Sequence, residues 1–126
     1  MDVSQRHGKY PPPPGASQIL GVEVSGTVEE VGEDVKNFKI GDRVFGLMGG
    51  GGYASYAVMK HGIAMHIPDA LTLQEAAAIP EVWFTAYQAL HFVAGLKEGQ
   101  DVLIHAAASG VGTAAIQLAK LAKAYV

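Results

Sequence analysis

Cysteine is absent from the 126 residues. That excludes disulfides, thiolate zinc sites and cysteine nucleophiles. No apolar run reaches the roughly 18–20 residues of a membrane span. The opening residues, MDVSQRHGKY, lack the apolar core of a secretory signal. The expected compartment is therefore the cytoplasm, with no membrane partner. Basic residues are few, nine Lys and Arg against twelve Asp and Glu, for a formal charge of −3. No basic stripe is present to neutralise phosphates along a duplex, so nucleic acid is not an expected partner. Charged residues of both signs make up only 17% and hydrophobic residues 49%, a globular composition rather than a disordered one. By length alone the chain fits one domain of ordinary size. Glycine is the excess: 16 of 126 residues, about twice the usual share.

Along the chain, Pro11, Pro12, Pro13 and Pro14 precede Gly15. Four prolines neither continue a helix nor feed a central strand, so they form an extended connector. In residues 21–32 Val22, Val24 and Val28 alternate with Glu23, Ser25, Thr27 and Glu29, which predicts a strand. Val31 falls out of phase and predicts a bulge near Glu29 and Glu30. Residues 43–48 and 53–59 read as second and third strands, separated by a Gly-rich loop at 49–52. Residues 64–67 read as a short fourth strand stopped by Pro68. Short strands with Gly-rich corners at this spacing predict a small, strongly bent β-domain. The pattern then changes. Thr72 and Glu75 have capping-box spacing before an alanine run. A helix is expected over 81–94, closed by Gly95. Residues 100–106, QDVLIHA, read as a buried parallel strand. A second helix is expected over 110–124, with Ala115, Leu118, Ala119 and Ala122 on its inner face.

Residues 101–122, DVLIHAAASGVGTAAIQLAKLA, are the most informative segment. A dinucleotide fingerprint needs a strand, a tight turn of small residues, and a helix whose N-terminus faces the pyrophosphate. In register, its three glycine positions are Ala107, Ser109 and Gly112, with Gly110 beside the last. Ala107 and Ser109 are small enough for close approach, and Ser109 adds a hydroxyl. The same residues also fit a β–α turn of another α/β domain, where small side chains serve packing alone. The acid expected about 20 residues further on, at the end of a second strand, lies past Val126. Tyr125 and Val126 read as the start of that strand. His61 and His66 are the closest histidine pair, but their spacing carries no metal motif, and no metal site is expected.

Four segments in this order resemble the medium-chain dehydrogenase/reductase superfamily. They are QRHGKYPPPPGASQILGVEVSG (5–26), IGDRVFGLMGGGGYASY (40–56), LTLQEAAAIPEVWFTAY (71–87) and DVLIHAAASGVGTAAIQLAK (101–120). Within it the chain is most similar to zinc-free, NADPH-dependent quinone oxidoreductases of the p53-inducible type. The resemblance covers nearly the whole chain. It implies an α/β fold: a partial GroES-like β-domain over 1–80, lacking its N-terminal strands. A bridging helix and the first β–α unit of a truncated Rossmann NADP-binding domain follow over 81–126. The family's active site lies in the cleft between its two domains. Val22 stands where zinc-dependent relatives carry a zinc-binding His, and the absence of cysteine matches a zinc-free enzyme.

The resemblance implies NADP(H) as cofactor and a quinone-like small molecule as substrate, with a homo-oligomer in the full-length form. Tyr10 matches the cleft tyrosine, as a catalytic and cofactor-binding residue. From the residues alone it also fits a loop tyrosine packed on prolines. Thr85 matches a helix threonine near the nicotinamide, where a threonine bonding its own helix backbone is the alternative. Ala108, Ser109, Gly110, Val111 and Gly112 match the pyrophosphate turn. Glu23 stands in a suggestive place for the site and also fits a solvent-facing strand carboxylate, the reading its alternation favours. The expected activity of the full-length family is NADPH-dependent reduction of quinones or related electron-poor carbonyls and alkenes. This chain alone is expected to be an inactive fragment. An enoyl thioester or vinyl ketone reductase is the alternative within the superfamily. A non-catalytic module that binds a nucleotide or a partner is the alternative outside it.

Overall fold

The computed structural model describes residues 1–126, which form two compact units, Met1–Pro80 and Glu81–Val126. The first unit opens with a short helix α1 (Asp2–Arg6) and contains a three-stranded antiparallel sheet, β1 (Glu23–Thr27), β2 (Arg43–Leu47) and β3 (Ala64–His66), in that spatial order. The register pairs Glu23 with Leu47 and Thr27 with Arg43, then Val44 with His66 and Gly46 with Ala64. Helix α2 (Leu73–Ala77) lies against β1 and β2. Phe45, Ile67 and Ala76 are buried together, with Met65, Leu71, Leu73 and Ile79 packed around them. Two side chains tie the sheet to the chain that leads into and through α2: Ser25 Oγ donates to Leu73 O at 2.6 Å, and the Arg43 guanidinium donates to Leu71 O.

Thr72 caps α2 as its spacing predicts. Its hydroxyl accepts from the Glu75 amide at 3.2 Å, and the Glu75 carboxylate accepts from the Thr72 amide at 2.8 Å. These bonds satisfy donors that a helix start otherwise leaves unpaired. The Thr72 bonds hold the Glu75 carboxyl below the ordinary carboxylate value, against a smaller opposing effect of desolvation.

Two expected strands are not formed. Residues 53–59 carry strand-like alternation, but only their first residues are tied down: the Gly51, Gly52 and Tyr53 amides donate to Ile19, Gly21 and Leu20 carbonyls. Beyond Tyr53 no ladder neighbour is present, and Tyr56 and Val58 are 80% and 96% exposed. Gly21, at φ +97°, permits the close pass, since a Cβ there would stand 2.6 Å from the Tyr53 nitrogen. The predicted strand at 100–106 is reduced to a single parallel bridge between Asp101 and Tyr125. Val102 N donates to Tyr125 O at 2.8 Å and Tyr125 N to Gln100 O at 2.9 Å. Residues 103–105 have no neighbour to pair with, so Leu103 is 84% exposed instead of buried. A strand is a paired object, and alternation or an apolar run without a partner does not make one. The bulge expected at Glu29 and Glu30 is likewise absent, because β1 stops at Thr27.

In the second unit, α3 (Pro80–Tyr87, its first residue closing the first unit) runs into a π-helical turn over Gln88–Val93. The Ala94 amide reaches Ala89 O across five residues. The expected single α-helix over 81–94 is therefore widened at its end, ahead of Gly95. The widening brings Tyr87 against both His91 and Phe92, at 4.5 and 5.5 Å between rings. Helix α4 (Gly110–Leu121) ends three residues earlier than expected, with Lys123 in the left-handed region at φ +57°. Ala86 and Leu90 share a core with Ala114, Ala115, Leu118 and Ala119, and Trp83, Leu96, Val102 and Ile104 pack against it.

Candidate functional site

The turn between residues 105 and 112 is built from its backbone outward. Ala106 takes φ +52°, a left-handed conformation that costs a side-chain-bearing residue strain. The chain reverses there, and the Ser109 amide donates to Ala106 O at 2.9 Å. Ser109 caps α4: its Oγ accepts from the Gly112 amide at 3.1 Å and its carbonyl accepts from Thr113 at 2.8 Å. Gly112 is buried, and a Cβ on it would lie 2.5 Å from Ala106 O and 2.7 Å from Ala107 backbone atoms. That close approach explains the third small-residue position of the turn.

Of the four amides at the head of α4, that of Ser109 goes to Ala106 O and that of Gly112 to the Ser109 hydroxyl. Helix geometry leaves the Gly110 and Val111 N–H groups without an intrahelical acceptor. Ala107, Ala108, Ser109 and Gly110 are all exposed, and none carries a side chain larger than serine. The Ser109 hydroxyl accepts from Gly112 and keeps its own proton to donate. Small exposed residues, two free amides and a 12-residue helix dipole make an anion-accepting end. The turn fits a pyrophosphate group on this chemistry.

Thr85 is exposed on α3, with no hydrogen bond to its own helix backbone among the side-chain bonds of the chain. The same helix approaches the turn: a Cβ on Gly110 would stand 2.9 Å from Val82 Cγ1. Thr85 and the turn thus belong to elements in direct contact within the second unit. Nothing in the spacing of the sequence flags Val82, because its partner lies 28 residues away.

Tyr10 belongs to the first unit. It sits in a bend just before the prolines, 49% exposed, with a phenol that makes no hydrogen bond within the chain. In the same unit a contact that the sequence does not advertise ties α1 to the chain after the Gly-rich loop: Tyr53 Oη donates to Asp2 Oδ2 at 2.8 Å. That bond, and then the Asp2 charge, raise the Tyr53 phenol above its ordinary value, with a small contribution from burial and a lowering by Arg6.

The histidines have separate surroundings. His66 Nε2 lies 3.2 Å from Asn37 O, its ring stacks on Phe38 at 4.7 Å, and its Nδ1 is 4.0 Å from Asp42 Oδ2. His91 rests on Tyr87. His105 is exposed rather than enclosed in a strand. No group of three or more His, Asp or Glu side chains is brought together anywhere in the chain. No helix is long and apolar enough to cross a membrane.

The alcohol dehydrogenase GroES-like domain family matches residues 1–69, which include the whole three-stranded sheet. Over 125 residues the chain is 46% identical to the erythronolide synthase EryA2 of Saccharopolyspora erythraea, covering 99% of this chain and 3% of that protein. The crystal structure of Escherichia coli quinone oxidoreductase complexed with NADPH is 38% identical with a TM-score of 0.84, over 98% of this chain and 38% of that one. The CurK enoyl reductase is 34% identical with a TM-score of 0.84, over 98% of this chain and 40% of that one. The chain thus spans about two-fifths of the length of either reductase and a far smaller share of the synthase.

Proposed function

The chain belongs to the medium-chain dehydrogenase/reductase superfamily, by its alcohol dehydrogenase GroES-like domain, and we propose that it serves NADPH-dependent reduction of quinones or related electron-poor carbonyls and alkenes. The observation that carries this reading is the head of α4. There a Ser109 cap, exposed small residues and the free Gly110 and Val111 amides present an anion site at the position of a dinucleotide fingerprint. When bound, NADPH supplies the reducing hydride. The chain's own part is to hold and orient. The Gly110 and Val111 amides and the Ser109 hydroxyl donate to the pyrophosphate, and Ala108 leaves room for it. Gly112 keeps α4 close to the backbone of Ala106 and Ala107. Thr85 offers a hydroxyl toward the nicotinamide end. Tyr10 is assigned a hydrogen bond from its phenol to a substrate carbonyl oxygen or to the cofactor; at the carbonyl it would stabilise developing charge that a metal polarises in zinc-dependent relatives. The zinc-free assignment rests on Val22 and on the lack of thiolates. The full-length form is proposed to be a homo-oligomer.

A second reading, reduction of an enoyl thioester, is favoured by the 34% identity with the CurK enoyl reductase and the 46% identity with the erythronolide synthase. The test is a fluorescence titration of the chain with NADPH and with NADH. NADPH oxidation by the whole protein is then followed with para-quinones, ortho-quinones and an enoyl thioester. Tighter binding of NADPH and turnover with quinones is the expected result. No binding of either nucleotide would remove the reading, and turnover confined to the enoyl thioester would establish the second.

A further inference from the structure

Val82 meets Gly110 chiefly through its γ1-methyl, with Cγ2 at 4.0 Å from a Cβ built there. A Cβ on Gly110 would stand 2.9 Å from Val82 Cγ1, closer than such atoms approach, yet 3.7 Å from Val82 Cβ, an ordinary contact distance. Valine in a helix is held near one χ1 rotamer, so the methyl does not swing aside. Its helix is itself fixed: Ala86 and Leu90 are buried against Ala114, Ala115, Leu118 and Ala119. Thr85 follows Val82 by three residues and shares its helix face. Gly110 carries one of the two free amides of α4.

We propose that Val82 is a positioning residue: its γ1-methyl, seated against Gly110, sets the separation between the amide-bearing first turn of α4 and the face of α3 that carries Thr85, and thereby the fit of a dinucleotide at the turn. The proposal rests on the reading that this turn receives NADPH. Gly110 is then glycine because Val82 occupies the space of its side chain, not because the cofactor does. Size is traded between the two positions, and the contact tolerates one methyl group in total. The double variant Gly110→Ala with Val82→Ala would leave the two Cβ atoms about 3.7 Å apart, with no other atom within 4 Å of the new group beyond those Val82 now supplies.

The test uses the full chain and NADPH itself. Dissociation constants from fluorescence titration and melting temperatures from circular dichroism are measured for the wild type, both single variants and the double variant. Gly110→Ala is expected to weaken NADPH binding by about tenfold or more, and Val82→Ala by about two- to fivefold, with the double variant within about threefold of Val82→Ala. A double variant that regains its melting temperature but binds as weakly as Gly110→Ala overturns the proposal, since the added Cβ then acts on the cofactor directly. So does a Gly110→Ala variant that binds as the wild type does. If Gly110→Ala does not fold, Val82→Ile presses on the same point with α4 unaltered. It is expected to weaken binding severalfold at a nearly unchanged melting temperature, and unchanged affinity overturns the proposal. Failure of the functional reading shows separately, as a folded wild type that does not bind NADPH, and the proposal falls with it.

Discussion

Gly112 and Ala106 show how few atoms define the turn. A side chain on Gly112 meets backbone on every side, 2.5 Å from Ala106 O and 2.7 Å from Ala107, and backbone cannot rotate away as a side-chain tip can. Gly112→Val is therefore expected to lower the melting temperature and to weaken NADPH binding by about tenfold or more, the scale of a disrupted close contact. A fluorescence titration with unchanged affinity would contradict the role given to this turn. Ala106 presents the opposite case. Its φ of +52° costs alanine about 1 kcal/mol relative to glycine. Ala106→Gly is expected to raise the melting temperature by a few degrees with NADPH affinity kept; an unchanged or lower melting temperature would show that the added freedom of the unfolded chain outweighs the strain. The small residues at Ala107, Ser109 and Gly112 were legible from their spacing before a helix. The strain at Ala106 and the Val82 contact were not, because both depend on the path of the backbone rather than on residue type.

Helix α2 is the element whose sequence and structure agree most directly. Thr72 and Glu75 exchange hydrogen bonds at three-residue spacing, and the whole device is local. Thr72→Ala is expected to cost about 1 kcal/mol by chemical denaturation. The box also gives a pH dependence. The Glu75 carboxyl is lowered below its ordinary value in the folded chain by its bonds to Thr72. A lowered folded value means that the contribution is present above the unfolded carboxylate range and is lost as pH falls through the folded value. Wild-type stability is thus expected to drop on acidification below about pH 4 by more than that of Glu75→Gln, in a pH series of denaturant melts. Equal acid sensitivity would show that the box does not carry it. Residues 53–59 and 100–106 differ from this helix for a reason that they share. Both have the side-chain pattern of a strand, while pairing is a property of a neighbour elsewhere in the chain. Residues 64–66 have that neighbour in β2 and form β3. The π-turn at Gln88–Val93 carries no mark in residue type either, since it is a one-residue shift in backbone pairing that puts the Ala94 amide on Ala89 O.

At the scale of the molecule, the two compact units each hold a small core of their own, Phe45, Ile67 and Ala76 in one and the Ala- and Leu-rich helical cluster in the other. Alanine dominates the second cluster, so its helices approach closely but bury little apolar surface per residue. One apolar residue that this unit leaves outside stands beside unpaired backbone. After the Asp101–Tyr125 bridge the backbone of residues 103–105 has no ladder partner, and Leu103 stands 84% exposed at the rim of a hollow lined by Leu90, Ala94, Leu96 and Val102. An unpaired edge next to apolar side chains is a template for pairing with another copy. The chain is therefore expected to self-associate through this edge. Leu103→Lys places a charge where pairing would occur, and an exposed position tolerates it within about 0.5 kcal/mol. Sedimentation velocity across a concentration series is expected to show the wild type shifting to larger species and Leu103→Lys remaining smaller, with identical far-ultraviolet circular dichroism. The same distribution for both proteins would place the association elsewhere and leave the exposed edge without a role in it.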